Sequence, residues 1–229
     1  MAGPVRGALR GGRGADRLLA RLRRALLARL RERQVTDDRA ALERDGFVVL
    51  DAPDGLTELD LGRCLHVQEV RVRPTSRSLV CSRRALGPHT DHHAARWVVL
   101  RCIEPAARGG RSLLIDGGAV VAELPRDMRE ALRRVVLREH DVFGTGTTQH
   151  PLLGPDDELY YSYWLAGSLA GLERAAFDAF AARIRRAPRV ERTLRRGQTL
   201  VVDNHRMLHG RTAFSGDRHL VRRWYAPTG

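Results

Sequence analysis

The chain has 229 residues, 43% of them hydrophobic, and a formal net charge of +13. That length suits one sizeable domain with its own core, or one domain plus an extension. All forty basic residues are arginine and they are spread along the chain, which argues against nucleic acid as the main partner; no apolar run approaches the length of a membrane span.

Residues 1–15 are rich in arginine and glycine and free of acid. Residues 16–34 predict an amphipathic helix, with Leu18, Leu19, Leu22, Leu26, Leu27 and Leu30 recurring at helical spacing between arginines. Residues 1–44 are therefore read as a basic N-terminal extension with an amphipathic helix, ahead of a domain spanning 45–229. The leucine face suits packing on the domain or on a second subunit, so a homo-oligomer is one reading. A transit segment and a membrane-surface helix are the others.

From there short strands dominate. Phe47 to Leu50 follow the Asp45-Gly46 turn, residues 65–73 alternate in polarity, and 97–103 form an apolar run. Ser112 to Ile115 resume a strand after Gly109-Gly110. Residues 119–138 are helical in period, with Pro125 marking a second start. Residues 159–164 predict an aromatic strand, and 171–187 a helix with Leu172, Ala176, Phe177, Phe180, Ala181 and Ile184 on one face. Residues 198–203, 206–211 and 218–225 predict three more strands. Many short strands around few helices indicate a mainly β fold, a sandwich or barrel with flanking helices. Cys64, Cys81 and Cys102 stand singly with no CxxC pair, so a reducing cytoplasm is the expected compartment.

The chemistry-bearing residues lie in separated fragments. In an extended segment His89 and Asp91 project to one side, so both reach one metal; an ordinary polar turn after Gly87-Pro88 is the competing reading. His209 adds a second imidazole. Two histidines and one carboxylate leave coordination positions open, as iron oxygen chemistry requires. An arginine nine residues beyond His209 is placed to return on the adjacent antiparallel strand and grip a carboxylate.

Taken together, these fragments resemble the iron(II)/2-oxoglutarate dioxygenases of the taurine dioxygenase (TauD/TfdA) and clavaminate synthase-like group. The matching pieces are His89-x-Asp91, Gly109-Gly110-Arg111-Ser112 with Asp116-Gly117, Gln149-His150-Pro151-Leu152, Asp203-Asn204 through His209 to Phe214, and Arg218-x-Leu220-x-Arg222. They cover roughly residues 45–226. The resemblance implies a double-stranded β-helix, a cupin-like jelly roll, in which the helices are excursions from the barrel. It implies that His89, Asp91 and His209 hold Fe(2+), with 2-oxoglutarate and O2 as co-substrates. Arg218 would bind the distal carboxylate of 2-oxoglutarate. Ser112, where the family usually has threonine, would add a hydroxyl hydrogen bond. Arg222 would bind either the near end of 2-oxoglutarate or an acidic group of the substrate.

Arg84, Gln149 and His150 are candidate substrate residues, as is the aromatic stretch Tyr160 to Trp164, whose alternative is core packing. His92 and His93 are read as residues behind the ligands or in the cleft, and Trp97 and Trp224 as packing. Asp91 argues against halogenation, because related halogenases carry Gly or Ala in its place. The implied reaction is hydroxylation of a small molecule such as an amino acid or biosynthetic intermediate. Desaturation, epoxidation, ring closure and catabolic oxygenation of a sulfonate or aryloxy acid stay open, as do a cupin-like metal enzyme of another kind and an inactive binding module.

Overall fold

A computed structural model describes Arg21, Arg24, Ala28 and residues 34–51, 59–73 and 78–228. The predicted leucine face of residues 16–34 lies outside them. Residues 34–45 are helical. Among the described residues thirteen strands follow: β1 (Phe47–Leu50), β2 (Arg63–Arg71), β3 (Leu86–His89), β4 (Trp97–Glu104), β5 (Arg108–Gly109), β6 (Ser112–Asp116), β7 (Val136–Arg138), β8 (Gln149–Pro151), β9 (Val190–Arg192), β10 (Thr199–Asp203), β11 (Met207–Arg211), β12 (Phe214–Ser215) and β13 (His219–Ala226).

Two antiparallel sheets dominate. One runs β1-β10-β4-β13-β2, the other β3-β11-β6-β9. Period-two alternation explains how each strand serves two layers. In β10, Leu200 and Val202 join Leu114, Met207 and Leu220 in a cluster contributed by both sheets. Val201 points the other way, with Val99, to a layer closed by Leu42 of the first helix. In β11, Leu208 points outward to the cluster built with helix Gly171–Arg186, while Met207 faces the space between the sheets. The architecture is a double-stranded β-helix with its helices outside the barrel.

Three local expectations are corrected. The helical reading of 119–138 ends early: the helices are Gly117–Ala122 and Arg126–Arg134, and Val135 already has extended dihedrals. Val136–Arg138 pairs with β8, burying Leu137 in the β-branched run that periodicity alone assigned to helix. The aromatic strand 159–164 is not a strand. Leu159 makes one bridge to Leu153, and Tyr163–Ser168 is a 3-10 helix; Tyr161 stacks on Phe177, so tertiary packing overrides β propensity. Finally, the strand that follows Arg218 is not the hydrogen-bonded neighbour of β11. β13 belongs to the opposite sheet, so Arg218 meets the metal fragments across the barrel.

Candidate active site

β3 and β11 are antiparallel neighbours, and His209 pairs directly with His89. This register puts two imidazoles 120 residues apart in sequence side by side, ring centroids 4.6 Å apart. A register irregularity between His209 and Arg211 follows immediately. Gly210 permits the approach: a Cβ there would stand 2.6 Å from the carbonyl oxygen of Leu86. Asp91 lies just past the end of β3. Thr90, between His89 and Asp91, points away from them and exchanges hydrogen bonds with residues 161–162. Its N–H donates to the Tyr161 carbonyl at 2.7 Å, its hydroxyl accepts from the Tyr161 N–H at 2.9 Å, and Ser162 Oγ donates to its carbonyl at 3.2 Å.

His89, Asp91 and His209 are all buried, and their ligand atoms lie within 4.8 Å of one another. Three observations fit a divalent cation here. His89 Nδ1 donates to the Gly87 carbonyl at 2.9 Å, which leaves the Nε2 lone pair facing the cluster. Among the described residues His209 Nε2 has no hydrogen-bond partner although it is buried, an orphan in a protein interior. Burial, then the neighbouring His89, lowers the His209 pKa to about 3, so its imidazole is neutral at physiological pH. The Asp91 carboxylate is also kept ionised. Burial works to raise its pKa, but Arg222, His209 and His89 prevail and hold it well below the usual range.

Asp91 has a dense set of partners. Arg222 Nη1 donates to both its oxygens, at 2.7 and 2.9 Å, and Trp224 Nε1 donates to Oδ2 at 2.8 Å. Trp224, read from the sequence as packing, is thus a hydrogen-bond donor to the buried Asp91 carboxylate. Arg222 also bonds Gln68, so its guanidinium is engaged before any ligand arrives. Asn204, a buried residue within a quoted motif, had no assigned role. Its Oδ1 accepts from the Asp91 N–H at 2.7 Å, and its Nδ2 donates to the carbonyls of Ala95 at 2.8 Å and His92 at 3.2 Å. One amide side chain therefore clamps the turn that carries Asp91.

Two clefts meet at this cluster. The smaller is lined by Ser112, His209, Arg211, Arg218, Leu220 and Arg222. Ser112 sits directly opposite Arg211 in the β6–β11 ladder. Arg218 is 8% exposed, and among the described residues no hydrogen bond or ion pair engages it. Burial, then Arg211, lowers its pKa to about 10, so it stays cationic. A buried, unpaired guanidinium costs free energy until an anion arrives. Arg211 differs: it donates to four carbonyls, of Leu79, Val80, Ser82 and Arg84, at 2.7–3.1 Å.

The larger cavity, of about 440 Å³, has His89, Asp91 and Arg222 at its base and Trp164, Trp224 and Tyr160 in its walls. Of the candidate substrate residues, Arg84 is exposed and contributes its backbone carbonyl to Arg211, and Gln149 is exposed on β8; neither lines this cavity. His150 stacks on His93 behind the wall, centroids 3.2 Å apart. Tyr160 and Trp164 do line it, whereas Tyr161 packs on the helix side.

Sequence reading gave no role to Glu139. It is buried at the cavity wall and accepts from the His93 N–H at 2.9 Å, from His92 Nε2 at 3.1 Å, from His93 Nδ1 and from Thr148 Oγ1 at 3.0 Å. Burial raises its pKa, but the His93 bonds prevail and hold it at about 2. A lone glutamate after a short strand carries no sequence signal. His92, His93 and Glu139 also have the composition of a metal site. The Ala94 N–H, however, points to His92 Nδ1 at 3.1 Å. That leaves the proton on Nε2, where it bonds Glu139 and blocks the lone pair a metal would need.

A protein-family model described as "Taurine catabolism dioxygenase TauD, TfdA family" matches residues 16–224. A mitochondrial trimethyllysine dioxygenase from Gallus gallus is 27% identical over 167 residues, covering 59% of this chain and 39% of the relative. A uridine-5'-phosphate dioxygenase from Amycolatopsis sp is 33% identical over 153 residues, covering 56% and 54%. The chain thus spans about half the length, or less, of these curated relatives. Among solved structures, an asparagine oxygenase in complex with Fe(II), 2S,3S-3-hydroxyasparagine and succinate superposes with a TM-score of 0.68 at 18% identity, covering 87% of this chain and 79% of that one. That likeness is one of fold.

Proposed function

Since this chain belongs to the TauD/TfdA dioxygenase family, we propose that it is an iron(II)- and 2-oxoglutarate-dependent dioxygenase that hydroxylates an unactivated C–H bond of a small molecule, releasing succinate and CO2. The observation that carries the reading is the pairing of a buried, partnerless His209 Nε2 with a buried, unpaired Arg218 in the adjoining cleft.

His89, Asp91 and His209 would hold the iron. When bound, the metal supplies oxygen activation driven by decarboxylation of the co-substrate. The chain's own residues bind, orient and exclude water. Arg218 would hold the distal carboxylate of 2-oxoglutarate, with Ser112 Oγ beside it. Arg222 and Trp224 keep the Asp91 carboxylate ionised and fixed in direction. The apolar walls of the larger cavity limit water at the reacting C–H bond and position it.

For the substrate we favour an amino acid or a biosynthetic intermediate of that size, which suits a cavity of about 440 Å³. The relatives' names span trimethyllysine, uridine 5'-phosphate and asparagine, so they indicate small metabolites without choosing among them. No helix among the described residues is long and apolar enough to cross a membrane. The same reading takes residues 1–44 as an extension whose last helix packs on the catalytic domain through Leu42. It takes the cytoplasm as the compartment, in keeping with free Cys64, Cys81 and Cys102.

The test is succinate release coupled to oxygen consumption by the iron-loaded protein, screened across amino acids, with mass spectrometry of the product. A gain of one oxygen supports hydroxylation. A loss of two hydrogens would redirect the reading to desaturation or ring closure. Absence of succinate under every condition, substrate-free turnover included, would sink it.

A further inference from the structure

The larger cavity holds its polar groups in internal pairs and leaves a tryptophan bare, and this contrast bears on the class of substrate, an inference that rests on the oxygenase reading. Asp91 and Arg222 bind one another at the base. Arg222 Nη2 bonds Gln68, and its Nε is buried out of reach of solvent. Glu139 is saturated by donors from residues 92, 93, 148 and 160, which engages the Tyr160 hydroxyl as well. The Trp224 N–H goes to Asp91. Thr90 and Ser162 bond between their own two segments. Beyond these groups and His89, the titratable side chain of the lining among the described residues is His140, which is exposed. A charged group pushed into the depth of this cavity would lose water without gaining a partner, which is costly.

What the cavity does offer is ring surface. Trp164 is 41% exposed although it stands in the cavity wall. Its indole is held from behind. It packs on His89 with ring centroids 4.9 Å apart, and edge-on against Tyr163, also at 4.9 Å. Tyr163 is seated in turn over Gly87, where a Cβ would stand 3.0 Å from its ring. Leu79, Leu86 and Leu165 complete the apolar surroundings. A fixed indole facing an apolar cavity leaves ring area in water until a ligand covers it. Aromatic rings cover it best, because offset stacking adds to burial of area.

We propose that the substrate is anchored by a planar aromatic ring stacked on Trp164, that its charged ends stay at the mouth of the cavity, and that Trp164 is a specificity-determining residue. Because Trp164 packs on His89, the ring lies beside the metal cluster. The C–H bond presented there is one close to the ring and not one near the charged end.

The experiment compares matched pairs on the full-length protein. Phenylalanine is set beside cyclohexylalanine, phenethylamine beside cyclohexylethylamine, and phenylpropionate beside cyclohexylpropionate, with the N-acetyl forms of the amino acids as a further arm. Two quantities are read: the dissociation constant on the metal-free protein by calorimetry, and stimulation of succinate release by the iron-loaded enzyme. Each aromatic compound should bind about three- to tenfold tighter than its saturated partner, whatever the charge of its tail. Trp164→Leu should abolish that preference and Trp164→Phe should retain it. Trp97→Phe, in the layer under Leu42, should leave it unchanged. If Trp164→Leu fails to fold, the wild-type pairs still decide. Saturated partners that bind as well as the aromatic ones would overturn the proposal, as would a preference set by tail charge or one that survives in Trp164→Leu. Failure of every aromatic compound to bind or stimulate would overturn it too. Ring-selective binding without any succinate, by contrast, would count against the oxygenase reading itself.

Discussion

Arg211 and Arg218 are both buried, lie seven residues apart and pack against the same ring, that of Phe214, yet they live in opposite circumstances. Arg211, on β11, spends its guanidinium on four backbone carbonyls and so winds residues 79–84 around one cation. Arg218, just before β13 of the facing sheet, engages no acceptor among the described residues. The sequence shows two arginines in one basic tail. The structure separates them into a cation tied to backbone carbonyls and a cation without such a partner among the described residues. Satisfied burial marks architecture, and unsatisfied burial marks a binding site.

The largest effect that would sharpen this contrast is on stability. Arg211→Met should orphan several of those carbonyls and cost about 3–5 kcal/mol, a drop in melting temperature of roughly 6–20 °C for a chain of this size. Arg218→Met should do the reverse: little change in melting temperature, or a small rise, with the 2-oxoglutarate KM raised about 100-fold, as loss of a charge-assisted bidentate contact implies. Thermal denaturation and 2-oxoglutarate titration of both variants check the pair. If Arg218→Met unfolds the protein and Arg211→Met spares it, the contrast fails.

A smaller effect concerns the turn behind Asp91. Asn204→Ala removes three hydrogen bonds around the ligand without touching the metal. Metal affinity, measured against a competing chelator, should weaken by about tenfold, as loss of an outer partner of a ligand does. Unchanged affinity would show that the turn holds itself.

The smallest expected effect is on pH stability. Burial lowers the pKa of His209, and also of His92, His150 and His205. Each therefore binds protons more readily unfolded than folded. Stability from these groups is complete above the unfolded value of 6.5 and is lost progressively as pH falls from there, for His209 towards about 3. The metal-free protein should melt several degrees lower at pH 5 than at pH 7.5. A flat profile across that window would contradict the burial of these imidazoles.

Much of this was legible in the residues. Residues 206–211 and 218–225 read as strands, and His89-x-Asp91 with His209 read as a metal set. What escaped depends on contacts remote in sequence. Nothing local says that β13 joins the opposite sheet from β11, since strand order in a jelly roll is set by closure of the whole barrel. The aromatic run at 159–164 has strand composition, but Tyr161 finds Phe177 and the chain turns into a 3-10 helix. Trp224 looks like packing until its indole N–H is seen to meet Asp91. Glu139 has no flanking motif, and its partners come from residues 92, 93, 148 and 160.

The most direct test of an iron site with an adjoining 2-oxoglutarate pocket is an anaerobic titration. Iron(II) and 2-oxoglutarate are added without oxygen, and the weak visible charge-transfer band of the chelate is followed in wild type, Asp91→Ala and Arg218→Met. The account predicts one saturable band per wild-type chain. It predicts loss or weakening of that band in Asp91→Ala, and saturation at about 100-fold higher 2-oxoglutarate in Arg218→Met. Folded wild-type protein that gives no band, or a band indifferent to Arg218, would contradict it.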